Sequence, residues 1–330
     1  MDRRSVAIVG GGPAGMSCAI WLNNYGITPL IVERGARLGG LYARSHYNNT
    51  FALGVLGRTG TQVAGDFAHH IRLNNTPVFH SRVVSSVQRS ADGLSVTLHD
   101  PAGQGSGQGI QVQALVIATG TRFRRQEQLA GVSGVDEAVA QGRLQFGVPP
   151  RVDEMSTYAD RDVVILGGGE NAYEMAGYVS RVTRSTHLVV RGKISAKGST
   201  RRRVHALSER ITVWRDHVLS DLSTLCSDDM LTLRHPSSGR CVRLRADLIS
   251  GQLGYRPNTE PWRAIFPDLD LDARGFIRAD QAGRTSIERI YAAGDIANPS
   301  HPSATVAMAM GAVVAMSIEQ DLREVLFPMV

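Results

Sequence analysis

Gly10, Gly12 and Gly15 in G-G-G-P-A-G, and Gly167 and Gly169 in G-G-G-E-N-A, have the spacing that holds the phosphates of a dinucleotide. Such a turn needs no cationic side chain, because backbone N–H groups and the positive end of the following helix meet the anion. Gly10 permits the tight turn, Gly12 lets the backbone approach a pyrophosphate, and Gly15 lets the helix pack close to its strand. Pro13 and Ala14 complete the first turn; Glu170 and Asn171 complete the second, which begins 157 residues later. Each copy directly follows an apolar run, and such a repeat is far harder to produce by chance than one glycine cluster.

The residue that closes the next strand separates the two sites chemically. Glu33 stands 23 residues after Gly10, where a carboxylate accepts hydrogen bonds from ribose hydroxyls, so the first site suits an adenosine half without a 2′-phosphate. A glycine turn with a solvated glutamate is the plainer reading of the same residues. At the matching place in the second unit stand Val190 and then Arg191. With no acid there and a guanidinium beside it, the second site favours the 2′-phosphate of NADPH over NADH. Arg201, Arg202 and Arg203 either add to that cationic site or form a solvated helix face. Two dinucleotide sites suit transfer of electrons between two bound redox cofactors, chemistry that asks the protein mainly for positioning, so no catalytic acid, base or nucleophile is assigned.

These residues need two β-α-β units to carry them. The first is expected as a strand over residues 6–9, a helix over 16–25 ended by Gly26, and a strand over 28–32. Runs at 83–88, 94–98 and 110–117, with Asp92-Gly93 as a hairpin signal, predict a small antiparallel meander. The second unit is expected as a strand over 163–166, a helix over 171–181 and a strand over 187–190, with further strands at 211–213, 230–233 and 242–244. Pro149-Pro150 marks a connection before it. Ser303 followed by an apolar run reads as a capped helix, with Gly311 allowing close packing.

The 42% hydrophobic and 20% charged content of 330 residues is that of a globular chain with room for two domains. The apolar run at 304–316 is too short to span a bilayer, and Gly10 to Pro13 interrupts the N-terminal apolar stretch where a signal helix would run. A net charge of +6 does not by itself argue for nucleic acid, so neither nucleic-acid nor membrane partners are expected. Cys18, Cys226 and Cys241 are the only cysteines; they suit neither a disulfide framework nor a metal site, and point to a cytoplasmic setting.

Taken together, I-V-G-G-G-P-A-G from Ile8, E-R from Glu33, G-G-L from Gly39, A-T-G from Ala118, G-G-G-E-N-A, L-G-Y-R-P-N-T from Leu253 and A-A-G-D-I from Ala292 resemble the low-molecular-weight thioredoxin-reductase-like flavoproteins nearly end to end. The resemblance implies an α/β fold of two Rossmann-like three-layer domains, the second inserted in the first. Residues 1–121 and 249–330 would form the FAD domain, and 122–248 the NADPH domain. It further implies flavin contacts at Glu33, Arg34, Gly40, Leu41, Val84, Thr119, Gly120, Gly294, Asp295, Ser303 and Ala304, and a homodimer. Asp295 would hydrogen-bond the ribityl chain; an N-cap or turn carboxylate after Gly294 is the local alternative. His301 either approaches the flavin or belongs to a surface loop. Relatives commonly carry Arg-Gln-Ala where this chain has Pro302-Ser303-Ala304.

Thioredoxin reductases place a C-x-x-C shortly before the second fingerprint, where this chain reads Q-F-G-V-P-P-R-V-D-E-M from Gln145. A thiolate relay cannot run without its sulfur atoms. The same fold without the dithiol resembles the ferredoxin NADP reductases of the thioredoxin-reductase type, whose acidic acceptors, ferredoxin or flavodoxin, suit a basic surface. A flavin oxidase or reductase acting on a small metabolite and a non-catalytic flavin-binding sensor are the alternatives.

Overall fold

The computed structural model describes residues 5–46, 48–49, 51–103, 106–147 and 152–327, and the Pro149-Pro150 connection lies outside them. The chain divides into two compact units, Met1–Arg122 with Arg256–Val330, and Phe123–Tyr255.

In the first unit the elements are β1 (Ser5–Val9), α1 (Pro13–Asn24), β2 (Thr28–Glu33), α2 (Gly60–Leu73), β3 (Val78–His80), β4 (Val83–Ser90), β5 (Gly93–His99), β6 (Gln108–Val112) and β7 (Ala114–Ile117). β8 (Thr121–Phe123) then carries the chain into the second unit. All five residues of β1 are buried, as a strand covered on both faces requires. It pairs in parallel with β2 and β7, from Val9 opposite Val32 and Ile117.

Alternate residues of β1 feed two cores. Val6 and Ile8 pack with the helices, among them Ala14, Cys18 and Leu22 of α1, whereas Ala7 and Val9 pack with Leu94, Val96 and Leu98 of the antiparallel sheet β4-β5-β6. Three layers result: helices, parallel sheet, antiparallel sheet.

The second unit repeats that plan. Its elements are α3 (Val135–Ala140), β9 (Leu144–Phe146), β10 (Asp162–Leu166), α4 (Glu170–Val179), β11 (Ser185–Val190), α5 (Gly198–His205), β12 (Ile211–Arg215), β13 (Val218–Asp221), α6 (Leu225–Asp228), β14 (Met230–Arg234), β15 (Cys241–Arg245) and β16 (Leu248–Gly251). The sheet order is β12-β11-β10-β16-β9, with Val163 and Ile165 facing α4 and α5 and Val164 and Leu166 facing the sheet β13-β14-β15. β17 (Tyr255–Pro257) returns the chain, and α7 (Glu260–Ile265), β18 (Ile290–Ala292) and α8 (Ala304–Leu326) complete the first unit.

Several sequence expectations need correction. The return to the first unit falls after Tyr255, not at 249, because β16 pairs with β10 and β9 and so belongs to the second unit's parallel sheet. The run at 110–117 is two strands in different sheets; Gln113 breaks it, its N–H donating to the Ser5 carbonyl. The hairpin turns at Ala91-Asp92, since Ser90 faces Gly93 and Gly93 is already in β5. Of the three later strands, β12 joins the parallel sheet while β14 and β15 form the antiparallel layer.

α8 is one helix of 23 residues whose Ala307, Gly311, Val314, Ala315, Ile318, Leu322 and Leu326 form a buried stripe at helical spacing. A Cβ on Gly311 would lie 2.1 Å from the Ala14 carbonyl oxygen and 3.0 Å from the Cys18 nitrogen. Only glycine lets α8 lie this close to α1. Gly311→Val is therefore expected to destabilise the protein by about 1–3 kcal/mol through overpacking, read as a lower urea midpoint at an unchanged slope.

Candidate functional site

The first fingerprint closes the C-terminal end of β1. Gly10 has φ +113°, and a Cβ there would lie 2.3 Å from the Ala118 carbonyl oxygen at the end of β7. A Cβ on Gly15 would lie 2.0 Å from the Gly10 carbonyl oxygen, so this glycine seats α1 on its own turn. Gly12 differs: a Cβ there would meet no atom within 4 Å. Its neighbours need neither its smallness nor its freedom, and Pro13 starts α1 at a position where a missing N–H costs nothing.

Around that open face the structure gathers other positions marked in the sequence. The Glu33 carboxylate accepts from Gly11 N–H at 2.8 Å and Gly35 N–H at 2.6 Å, which ties the end of β2 to the turn. Each oxygen keeps further lone-pair capacity. Gly39 N–H donates to the Gly11 carbonyl, and Gly40 stands close against Gly12, its would-be Cβ 3.2 Å from the Gly12 Cα. Arg34 is exposed beside them and Leu41 half-buried. Val84 is buried in the core beneath the antiparallel layer, where β4 shifts register between Val84 and Ser86.

Gly294, at φ +78°, rests on α1, its would-be Cβ 2.8 Å from the Ala14 Cβ. It delivers Asp295 in a single 3₁₀ turn, Gly294–Ile296. Oδ1 of Asp295 is buried and accepts no hydrogen bond, and burial pushes the carboxyl up to about 6. A capping carboxylate would have found a backbone N–H, so the local alternative for Asp295 does not hold at this oxygen. A buried acceptor left unmatched costs about 1–3 kcal/mol and asks for a donor from outside the chain.

Ser303 caps α8, its Oγ accepting from Val306 N–H at 3.1 Å, and Ala304 opens the helix. His301 is exposed in a loop clasped by the Asn298 side chain, which accepts from the His301 N–H and donates to its carbonyl.

Two residues without an assigned role in the sequence reading hold Thr119 and Gly120. Asn258 Nδ2 donates to the Thr119 carbonyl at 2.7 Å, Asn258 N–H donates to the Gly120 carbonyl, and Trp262 Nε1 donates to Thr119 Oγ1 at 3.1 Å. The signal was present as the Asn of L-G-Y-R-P-N-T, but its partner lies 139 residues away.

In the second unit Gly167 repeats the role of Gly10, with φ +146° and a would-be Cβ 2.4 Å from the Gln252 carbonyl oxygen beyond β16. Gly169 is open except for Ser195 Oγ at 3.7 Å. Glu170 is taken up within the protein: its carboxylate accepts from Lys197 N–H at 2.7 Å and Thr200 Oγ1 at 2.5 Å, anchoring α5 to the start of α4. Asn171 Nδ2 donates to the Tyr255 hydroxyl at 2.5 Å. Arg191 is exposed as the first residue after β11.

Two parallel sheets, each with a glycine turn and a helix at the C-terminal end of its central strand, define an α/β protein with two nucleotide-binding units. The profile of the pyridine nucleotide-disulphide oxidoreductase family matches residues 4–311, and the chain belongs to that family. It is 26% identical over 331 residues to a thioredoxin reductase of Streptomyces clavuligerus, covering 97% of this chain and 94% of that protein. The fold matches the thioredoxin reductase of Lactococcus lactis with a TM-score of 0.82 at 21% identity, over 99% of this chain and 100% of the other. It also matches the Staphylococcus aureus bacillithiol disulfide reductase with a TM-score of 0.78 at 20% identity, over 97% and 99%. The chain is an oxidoreductase, and the thioredoxin reductases it is similar to bind FAD and use NADPH.

The orphaned Asp295 oxygen, the open face of Gly12 and the spare acceptor capacity of Glu33 fit FAD in the first unit. Among the described residues no cluster suits a metal ion, and no helix is long and apolar enough to cross a membrane.

Proposed function

We propose that the chain is a cytoplasmic, homodimeric NADPH oxidoreductase that reduces FAD and hands the electrons to an external acceptor, ferredoxin or flavodoxin, without a protein dithiol. Gly10, Gly12, Pro13, Ala14, Gly15, Glu33 and Asp295 would hold FAD, with Arg34, Gly40, Leu41, Thr119, Gly120, Gly294, Ser303, Ala304 and the Val84 backbone around it. Gly167, Gly169, Asn171 and Arg191 would hold NADPH. Bound together, the two cofactors supply hydride transfer and electron storage.

The observation that carries this reading is the difference between the two turns. The first is furnished with a carboxylate and a buried unmatched acceptor for hydroxyl donors; the second has a guanidinium where an acid would select NADH. The dithiol-free exit rests on the cysteines. None pairs as C-x-x-C, Cys18 is buried in the α1 core with its thiol pushed up by burial, and burial also raises the Cys226 thiol. Thiolate is the reactive form, so neither is set up as a relay.

An anaerobic titration tests the reading. NADPH is expected to bleach the visible flavin absorbance stoichiometrically; ferredoxin or flavodoxin is then expected to restore it, and a small disulfide is not. Failure of NADPH to bleach bound FAD would remove the first step. Restoration by dioxygen alone would make the protein an oxidase.

A further inference from the structure

The most exposed large apolar side chains among the described residues sit together on one loop of the first unit. Residues 51–57 read F-A-L-G-V-L-G, and Phe51 is 73% exposed, Leu56 94% and Leu53 wholly so. Scattered single apolar residues need no explanation, but three such tips within six residues mark a contact surface. The loop is a built finger. Asn48 and Thr59 bridge across its neck, Asn49 N–H donates to the Arg58 carbonyl, and Asn49 Oδ1 accepts from the N–H groups of Phe51 and Ala52. Gly54 and Gly57, at φ +83° and +73°, turn the tip, and Arg58 N–H closes it on the Val55 carbonyl.

The neck stands on the wall of the proposed flavin site. Gly39 is bonded to Gly11 and Gly40 lies against Gly12; the chain then makes a 3₁₀ turn, Tyr42–Arg44, against which α2 starts. Thr61 Oγ1 donates to the Ala43 carbonyl at 2.9 Å, the Asn49 side chain donates to the Tyr42 hydroxyl, and the Tyr42 ring stacks on Phe67 of α2. The surroundings of the finger are cationic. Between β2 and β4, residues 34–82 hold six arginines and one carboxylate, Asp66, and so carry five of the chain's six net positive charges. Asp66 is itself engaged by Arg58 at the neck, and Arg44 is exposed at the base. An apolar tip in a cationic field is the complement of a partner with an apolar centre and an acidic rim.

We propose that this finger is the docking point for the acceptor, a small acidic electron-carrier protein, with Phe51, Leu53 and Leu56 entering its apolar centre and Arg44 and Arg58 facing its acidic rim. The assignment rests on the carrier reading above and puts the acceptor on the first unit, beside the flavin wall. Each NADPH delivers two electrons as a hydride, and a one-electron carrier takes them in two encounters, with one proton released. The carrier must therefore bind and leave twice per turnover, which suits a short finger of three side chains better than a broad interface.

Calorimetric binding of oxidised ferredoxin to the FAD-loaded protein tests the docking apart from turnover. Leu53→Ser with Leu56→Ser is expected to weaken that binding, and to raise the KM for ferredoxin, by at least about tenfold, while the NADPH-dependent rate with ferricyanide stays within about twofold. Arg44→Glu is expected to weaken ferredoxin by about threefold or more at low salt and to converge with the parent at about 1 M salt, where charge is screened. All three positions are exposed, so the urea midpoint is expected to stay at the parent's value. A double serine variant that binds ferredoxin as the parent does overturns the finger as its docking point. If that variant instead loses binding to phosphatidylglycerol vesicles, or loses its dimer, with ferredoxin binding intact, the finger belongs to a lipid surface or to a second copy. A parent that binds and reduces neither ferredoxin nor flavodoxin, although NADPH bleaches its FAD, would overturn the carrier reading itself.

Discussion

Gly12→Thr is expected to fold as the parent does and to lose its flavin. The backbone at Gly12, φ −80° and ψ −177°, is extended and open to any L-residue, and a Cβ there meets nothing within 4 Å. Threonine also serves a helix N-cap about as well as glycine, so the start of α1 loses nothing. The added side chain would occupy only the space in front of the helix, where a phosphate must approach the N–H groups. The expected result is an unchanged urea midpoint for the apoprotein and at least about a 100-fold weaker hold on FAD, roughly 2.7 kcal/mol. Gly15→Thr makes the contrast: a Cβ 2.0 Å from the Gly10 carbonyl oxygen should cost both stability and flavin. Flavin-to-protein absorbance of the purified variants separates the two. A Gly12→Thr protein that keeps a full complement of FAD would detach this turn from the cofactor.

How far the sequence carried can be traced at particular residues. The strands and helices next to the two glycine turns were legible because fully buried parallel strands are continuous apolar runs, and Gly10 and Gly167 mark their ends. The run at 110–117 was not legible as two strands, because hydropathy does not register a change of sheet and only the Gln113 hydrogen bond to Ser5 shows the break. The same limit hid the boundary at Tyr255, since β16 is apolar and would suit either unit's sheet. In the site, Glu33 was legible from its spacing. Its two N–H partners, Gly11 and Gly35, were not, and neither was the diversion of Glu170 to Lys197 and Thr200. Such pairings depend on how loops fold back over a turn. Asn258 and Trp262 reach Thr119 across 139 and 143 residues, a distance at which a single sequence holds no pairing information.

Asp295→Asn is expected to make the apoprotein more stable at neutral pH while weakening its hold on FAD. In the free protein burial raises the carboxyl from 3.8 to about 6. Between these two values the folded protein keeps a proton that the unfolded chain has released, so stability falls as pH rises through the window and levels off above about 6. At about 1.4 kcal/mol per pKa unit, the charged carboxylate costs the fold no more than about 3 kcal/mol above that window. The asparagine variant has no such charge. Its urea midpoint should match the parent's near pH 4, exceed it at pH 7.5 by the equivalent of about 2 kcal/mol, and show little slope between. FAD should reverse the comparison: a hydroxyl donor at Oδ1 favours the charged carboxylate, so the loaded parent loses its pH-dependent fall and binds FAD at least about tenfold more tightly than the variant. Apo and FAD-loaded urea titrations of both proteins from pH 4 to 8 measure all of this. Parallel midpoint curves for the two apoproteins would show that Asp295 is already satisfied without a ligand, and the buried oxygen would no longer mark where the flavin belongs.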